Sequence, residues 1–90
     1  MKQIEVDADF ISICNSILSK NYSNQQWGEI ESCDMFQTEH YDGGYDRDEQ
    51  AFCFSYYSES GEEFWIQLTL EEIKKIFEKK IKTLTLRYPG

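Results

Sequence analysis

The sequence has one proline, one histidine and three cysteines, and it contains no long hydrophobic segment. The odd number of cysteines, Cys14, Cys33 and Cys53, and the absence of a CxxC pair indicate reduced core thiols rather than a disulfide framework or a zinc site. No segment approaches the roughly 18 to 20 apolar residues of a membrane span, and the N-terminus lacks a basic region followed by an apolar run. We therefore expect a soluble, cytoplasmic protein that contacts no membrane and holds no metal.

The residues that catalysis requires are also sparse. His40 is the only histidine, it lies in a polar stretch, and neither a G-x-S-x-G motif nor a Cys–His signature accompanies it. Asp42, Asp46 and Asp48 do not have the spacing of an EF-hand calcium loop. Counting alone leaves a glycosidase-like carboxylate pair open, but 90 residues provide little material for a substrate cleft. The sequence predicts a protein that is not an enzyme and uses no cofactor.

The chain does contain enough apolar material to fold. Hydrophobic residues make up 40% of the sequence and aromatic residues 16%, which argues against intrinsic disorder and predicts a single domain over residues 1–90. Residues 8 to 20 have the periodicity of an amphipathic helix, with Asp7 as its N-cap. Residues 27 to 37 alternate roughly between apolar and polar side chains, which predicts a strand with one partly solvated face.

The clearest pattern is a β-hairpin between residues 50 and 69. Two aromatic-rich runs, AFCFSYYS and EEFWIQLTL, flank a polar turn that contains Gly61, a residue able to adopt positive φ. Period-2 alternation leaves Tyr57 and Trp65 on the half-exposed outer side. It assigns six residues to the core side, namely Phe52, Phe54, Tyr56, Phe64, Ile66 and Leu68.

The second strand of the hairpin leads directly into a helix. Thr69 and Glu72 have the spacing of a capping box, and a helical apolar stripe continues as far as Ile81. The following TLTL alternates, which is compatible with a short strand or an extended tail. The predicted fold class is α+β, with a three- to four-stranded antiparallel sheet and two helices packed on one face. Its predicted order is helix, three strands, helix and an optional last strand.

The distribution of charge is the main functional signal. The formal net charge is -8, and between residues 29 and 63 eleven acidic residues stand against Arg47 alone. Residues 38 to 49, which include Gly43-Gly44 and five carboxylates, are predicted to form a loop or a wide hairpin connection. Such a surface disfavours direct binding to nucleic acid or anionic membranes and favours a basic protein partner. The alternative is a charged surface that serves solubility alone.

The candidate partner-binding residues combine carboxylates with aromatic side chains, which are suited to electrostatic steering and to interface hot spots. They are Glu39, Tyr41, Asp42, Tyr45, Asp46, Asp48, Glu49, Tyr57 and Trp65. In this set Tyr41, Tyr45, Tyr57 and Trp65 are expected to provide the buried contacts of the complex.

A small acidic domain in which EFWIQLTLEEI leads from strand to helix resembles the immunity proteins of bacterial polymorphic toxin systems, including those of contact-dependent growth inhibition. The similarity covers size, acidity and the layout of residues 50 to 82. It implies a monomer that neutralises a cognate basic toxin, often a nuclease, by covering its active site or an adjoining exosite. The alternative is a general interaction or adaptor module whose ligand is a peptide or another subunit.

Overall fold

The computed structural model describes residues 2–20, 35–46 and 48–88. The elements in chain order are β1 (Lys2–Glu5), α1 (Ala8–Ser19), β2 (Met35–Gln37), β3 (Tyr41–Asp46), β4 (Ala51–Tyr57), β5 (Glu63–Leu68), α2 (Leu70–Phe77) and β6 (Thr83–Leu86). All strand pairs are antiparallel, and the strands and helices share one hydrophobic core. The predicted α+β fold class is confirmed.

The strands form a four-stranded sheet in the order β2-β3-β4-β5 and a two-stranded sheet of β1 and β6. The two sheets are joined where the backbone N–H of Trp65 donates to the carbonyl of Arg87 at 2.7 Å and the N–H of Arg87 donates back at 2.9 Å. The C-terminal strand that TLTL could form is therefore present. Its partner β1 was not predicted, because a four-residue strand with one apolar side chain, Ile4, has little periodicity to detect.

The core lies between one face of the four-stranded sheet and the two helices. The predicted inward residues of the hairpin are confirmed as core residues: five of the six are buried and Tyr56 is partly buried against the same cluster. The helices add Phe10, Ile13, Cys14, Ile17, Leu70, Ile73 and Ile76, and β6 adds Leu84 and Leu86. Gly61 adopts the positive φ of 87° that the hairpin turn requires.

Both helices begin where the capping signals predict. Oδ1 of Asp7 accepts the backbone N–H of Phe10 at 2.9 Å, which satisfies one of the unpaired donors of α1. Oγ1 of Thr69 accepts the N–H of Glu72 at 3.1 Å, and Oε1 of Glu72 accepts the N–H of Thr69 at 2.9 Å. This reciprocal pair is the predicted capping box of α2.

The second helix ends earlier than its apolar stripe predicts. It stops at Phe77, whose side chain is 40% exposed, and Ile81 lies beyond the helix. Lys79 takes a left-handed φ of 64°, and the N–H groups of Lys80 and Ile81 both donate to the carbonyl of Lys75. The prediction that the helix continues to Ile81 is wrong, because the chain reverses at Lys79 without the glycine that usually marks such an end.

The acidic stretch from 38 to 49 is not a long loop. Residues 41 to 46 form β3, which is paired with β2 on one side and β4 on the other. Gly43 lies so close to β4 that an added Cβ would meet the carbonyl oxygen of Cys53 and come within 2.6 Å of Cα of Phe54. The glycine that makes this segment look like a loop is therefore needed for strand pairing.

Part of the predicted first strand lies outside the described residues. Of residues 27 to 37, Met35–Gln37 form β2, and the segment before Met35, with Cys33, is outside the described ranges. Cys14 is a free thiol in the core, as predicted. Cys53 is also a free thiol, but it is half-buried and outside the core cluster, because it alternates with the inward Phe52 and Phe54 on β4, which corrects its assignment to the core.

Candidate binding surface on the outer face of the sheet

The outer face of the four-stranded sheet points away from the two helices. It consists of the side chains that alternate with the core residues, and three of them are large and exposed: Met35 (63%), Trp65 (52%) and Tyr57 (40%). The strand register places Gln37, Asp42, Ser55 and Trp65 in one row across the sheet. No element in the described part of the chain covers this face.

An open depression of about 990 Å³ crosses the outer face over β3 and β4. Its floor contains the small residues Gly44, Cys53 and Ser55, and its walls include Met35 on β2 and Trp65 on β5. Since neighbouring strands lie about 4.8 Å apart, the two wall strands are separated by about 14 Å. The small central residues and larger outer ones give the sheet a trough that can accept a protruding segment of another molecule.

The trough is acidic. Asp42, Asp46, Asp48 and Glu49 line it, and Arg87 is the one basic residue among its described lining residues. Arg87 lies beside Trp65 of β5, whereas Asp42 and Asp46 belong to β3 and Asp48 and Glu49 belong to the turn between β3 and β4. This asymmetry favours cationic groups of a ligand near β3 and the β3–β4 turn.

Asp46 holds the turn between β3 and β4 in place. Its Oδ1 accepts the backbone N–H of Asp48 at 3.0 Å and that of Glu49 at 3.3 Å. Glu49 is positioned in turn by Gln67, whose Nε2 donates to Oε2 of Glu49 at 3.4 Å. Two acidic side chains of the turn thus have defined orientations, and Asp46 has a structural role besides its charge.

The chemistry of the trough does not suit a nucleophile. Burial raises the pKa of Cys53 above the usual value of 9.0, and the charges of Asp46 and Glu49 raise it further. The thiol is therefore protonated at neutral pH, although thiolate is the reactive form. His40 directly precedes β3, at the other end of this strand from Asp46, and its Nδ1 is 3.2 Å from the carbonyl oxygen of Tyr57. The described residues contain no cluster of three or more metal-ligating groups.

The structure brings together six of the predicted binding residues. Asp42, Asp46, Asp48, Glu49 and Trp65 all line the trough, and Tyr45 borders it although this residue is buried. Tyr57 lies on the same face, opposite Glu63 and one row beyond Trp65.

Glu39 is exposed but separate from this group, because it lies in the turn between β2 and β3, at the other end of β3 from Asp46.

Tyr41 and Tyr45 are not surface anchors, which corrects the sequence-based prediction. Their exposed fractions are 0% and 3%. The ring of Tyr41 lies 5.0 Å from that of Phe10 and 5.1 Å from that of Tyr56, and Tyr45 packs 5.3 Å from Phe52. Because the segment is a strand and not a loop, its tyrosines alternate with Asp42 and Asp46 and point into the core.

Sequence reasoning missed Met35 and Arg87. Met35 precedes the buried Phe36, so the alternation of β2 places it on the outer face, and this alternation was the available signal. Arg87 reaches the trough only because β6 continues onto the edge of β5, a long-range pairing that no local pattern indicates.

Comparison of the chain with models of protein families, with curated proteins and with solved structures finds no match. Fold and surface together define an α+β protein with an acidic sheet face that carries exposed apolar side chains and that no described element covers. Within residues 2–20, 35–46 and 48–88, no helix has the length and apolar character needed to cross a membrane. Because no relative indicates a function, the outer face is the basis of the functional proposal.

Proposed function

We propose that this protein is a non-enzymatic inhibitor that binds a basic partner protein through the outer face of its four-stranded sheet, as the immunity protein of a bacterial toxin does. The observation that carries the proposal is the combination of exposed Met35, Tyr57 and Trp65 with the carboxylates that line the trough. Tryptophan and tyrosine dominate interface hot spots, and methionine is enriched in interface cores. A surface that served solubility alone would need only the carboxylates.

The charge of the trough defines the chemistry of the partner. Four carboxylates and one arginine leave the described lining residues with a net negative charge, which is complementary to lysine and arginine side chains. The long-range field of these carboxylates accelerates encounter with a basic surface, and burial of Trp65 slows dissociation of the complex. Both properties suit an inhibitor that must capture its target quickly and retain it.

A test of this proposal starts with capture of the partner from cells of the source organism on immobilised protein. The matched control is the Trp65→Ser variant, which removes an exposed side chain and keeps the backbone bridge between residue 65 and Arg87. We expect the wild-type protein to retain a basic protein that the variant does not retain. The captured protein is then expressed in a sensitive host, alone or together with either form of the inhibitor.

An inhibitor predicts that expression of the partner alone stops growth, that the wild-type protein restores growth, and that Trp65→Ser does not. A partner that is harmless when expressed alone would contradict inhibition and favour the adaptor alternative. Equal capture by the wild-type protein and the variant would contradict the assignment of the outer face. Circular dichroism and thermal unfolding of Trp65→Ser verify that its fold is intact.

A further inference from the structure

A second depression lies on another part of the molecule, between the β1–β6 ribbon and the two helices. Its volume is about 380 Å³, which falls within the size range of small-molecule sites. None of its lining residues belongs to the trough on the outer face. A ligand of this depression would therefore occupy a different surface from the proposed protein partner.

The walls of this depression are aliphatic and come from four segments of the chain. Ile76 of α2 is fully buried, and Val6, Ile11 and Ile81 are half-buried against the same core cluster. The backbone beside the pocket is already paired, because the N–H of Val6 donates to the carbonyl of Lys82 at 3.0 Å. The pocket thus presents branched aliphatic side chains, which favours a hydrocarbon chain over a polar ligand.

The rim of the depression is cationic. Lys79 and Lys82 line it together with one acidic residue, Glu5. Among the described residues neither lysine forms an ion pair, whereas the adjacent Lys80 lies 3.3 Å from Glu78. The two ammonium groups are consequently available to an anion at the mouth of the pocket.

The backbone at Lys79 gives an independent reason to assign a role to its side chain. Its φ of 64° is left-handed, and glycine is the residue that adopts this conformation without steric strain at a helix end. A lysine here is unfavourable for the backbone but places an ammonium group at the rim of an aliphatic pocket. Strained backbone positions of this kind occur preferentially at functional sites.

We propose that this pocket binds an aliphatic monocarboxylate, such as a medium-chain fatty acid. Its hydrocarbon chain lies against Val6, Ile11 and Ile81, and its carboxylate accepts hydrogen bonds from Lys79 and Lys82. The apolar walls exclude a simple inorganic anion as the preferred ligand, and the two lysines disfavour a cationic amphiphile.

The test is a titration of the full chain with octanoate, below the concentration at which octanoate aggregates, followed by NMR of isoleucine and valine methyl groups. We expect saturable shifts at Val6, Ile11 and Ile81. Acetate, which has the charge without the chain, and octylammonium, which has the chain with the opposite charge, should leave these methyl groups unchanged at the same concentrations.

The Lys79→Gln/Lys82→Gln variant should bind octanoate at least about tenfold more weakly, since the loss of one hydrogen bond to a charged group already has an effect of this size. Lys74→Gln/Lys75→Gln is the matched control, since it removes two positive charges from α2, just before the pocket lysines in the chain, at positions that do not line the pocket, and it should bind as the wild type does. Equal weakening in both variants, or equal binding of octylammonium, would overturn the proposal. If an acetylated apolar tripeptide with a free carboxylate bound more tightly than octanoate, the fatty-acid proposal would be overturned and the ligand would be a peptide C-terminus.

Discussion

The hydroxyl of Tyr41 donates a hydrogen bond to Oδ2 of Asp7 at 3.3 Å, across 34 positions of the chain. Oδ1 of the same carboxylate accepts the backbone N–H of Phe10 at the start of α1. One carboxylate therefore caps the first helix and connects it to β3. The alternation of β3 turns Tyr41 into the core, and Asp7 gives its buried hydroxyl a hydrogen-bond partner.

We expect the two halves of this arrangement to be energetically coupled. Tyr41→Phe removes one hydrogen bond and should destabilise the protein by about 1 kcal/mol. Asp7→Ala removes the cap as well and should cost about 1 to 2 kcal/mol. Since the double variant loses the shared bond only once, its destabilisation should be smaller than the sum of the single effects by about 0.5 kcal/mol or more. Urea unfolding of the four proteins measures this difference, and additive effects would show that the 3.3 Å contact is energetically silent.

Alkaline pH should destabilise the fold through Cys14. Burial raises the pKa of this thiol from 9.0 to about 12, so between these values the native state keeps a proton that the unfolded state has lost. The free energy of unfolding is therefore unaffected by this group below pH 9 and falls by up to about 1.4 kcal/mol per pH unit above it. Tyr41, whose pKa is also raised by burial and by Asp7, adds to the decline above pH 10.

Urea unfolding at a series of pH values between 8 and 11 measures this slope. The Cys14→Ala variant should be less stable at every pH because it leaves a cavity. Above pH 9, however, its free energy of unfolding should fall less steeply with pH, and the difference in slope should correspond to about one proton. A slope identical to that of the wild type would mean that the thiol titrates alike in both states.

Gly43 should tolerate no side chain. A Cβ at this position would meet backbone atoms of Cys53 and Phe54, which cannot rotate away, so Gly43→Ala should destabilise the protein by about 2 kcal/mol or more. Gly61→Ala is the matched control, because no atom beyond its two chain neighbours lies within 4 Å of its Cβ position and only its φ of 87° opposes the change. This control should cost about 1 kcal/mol. Chemical unfolding of both variants tests whether Gly43→Ala is the more destabilising. A larger loss of stability in Gly61→Ala would contradict the close approach of β3 and β4.

Gly43 also shows where sequence reasoning reaches its limit. The capping box and the period-2 hairpin are local signals, and they correctly predicted the start of α2 and the strands β4 and β5. In DGGYD, however, the glycines concealed an alternation in which Tyr41, Gly43 and Tyr45 point inward. Glycine is typical of loops as well as of strands that approach closely, and the pairing that decides between them is not local.

The residues of the candidate site were predictable where the sequence shows a clear alternation of core and outer side chains along a strand. Trp65 and Tyr57 were correctly expected on the outer face, because the hairpin pattern is strict. The acidic residues were found by composition, but composition does not separate Glu39 at one end of β3 from Asp46 at the other. The distance between Glu39 and Asp46 follows from the extended strand between them. The prediction of a loop in place of β3 therefore also led to the wrong assignment of Tyr41 and Tyr45 as surface anchors.

Lys79→Gly should stabilise the protein. The left-handed conformation costs a non-glycine residue about 1 to 2 kcal/mol, and the greater freedom of glycine in the unfolded chain offsets part of the gain. We expect a net increase of about 0.5 to 1 kcal/mol in the free energy of unfolding. Lys79→Ala keeps the strain and removes the same charge, so it should not stabilise. Equal unfolding midpoints for the glycine and alanine variants would contradict a left-handed helix end.

The proposed complex should respond differently to changes of charge and of apolar contact. Asp42→Asn, Asp48→Asn and Glu49→Gln combined remove three charges from the trough and spare Asp46, which holds the turn. Association with the captured basic partner should become slower and less dependent on salt, because exposed charges act mainly on encounter. The fold should be retained, since exposed charges contribute little to stability.

Trp65→Ala should instead raise the dissociation rate. Its exposed ring would be buried in the complex, and loss of a hot-spot tryptophan corresponds to about 2 kcal/mol or more, or roughly a thirtyfold faster dissociation. Tyr45→Phe serves as the control, because Tyr45 is buried in the core. This substitution should leave the association and dissociation rates unchanged. Surface-capture kinetics at two salt concentrations separate the two effects. Unchanged dissociation for Trp65→Ala, together with wild-type salt dependence for the charge variant, would exclude the outer face as the binding surface.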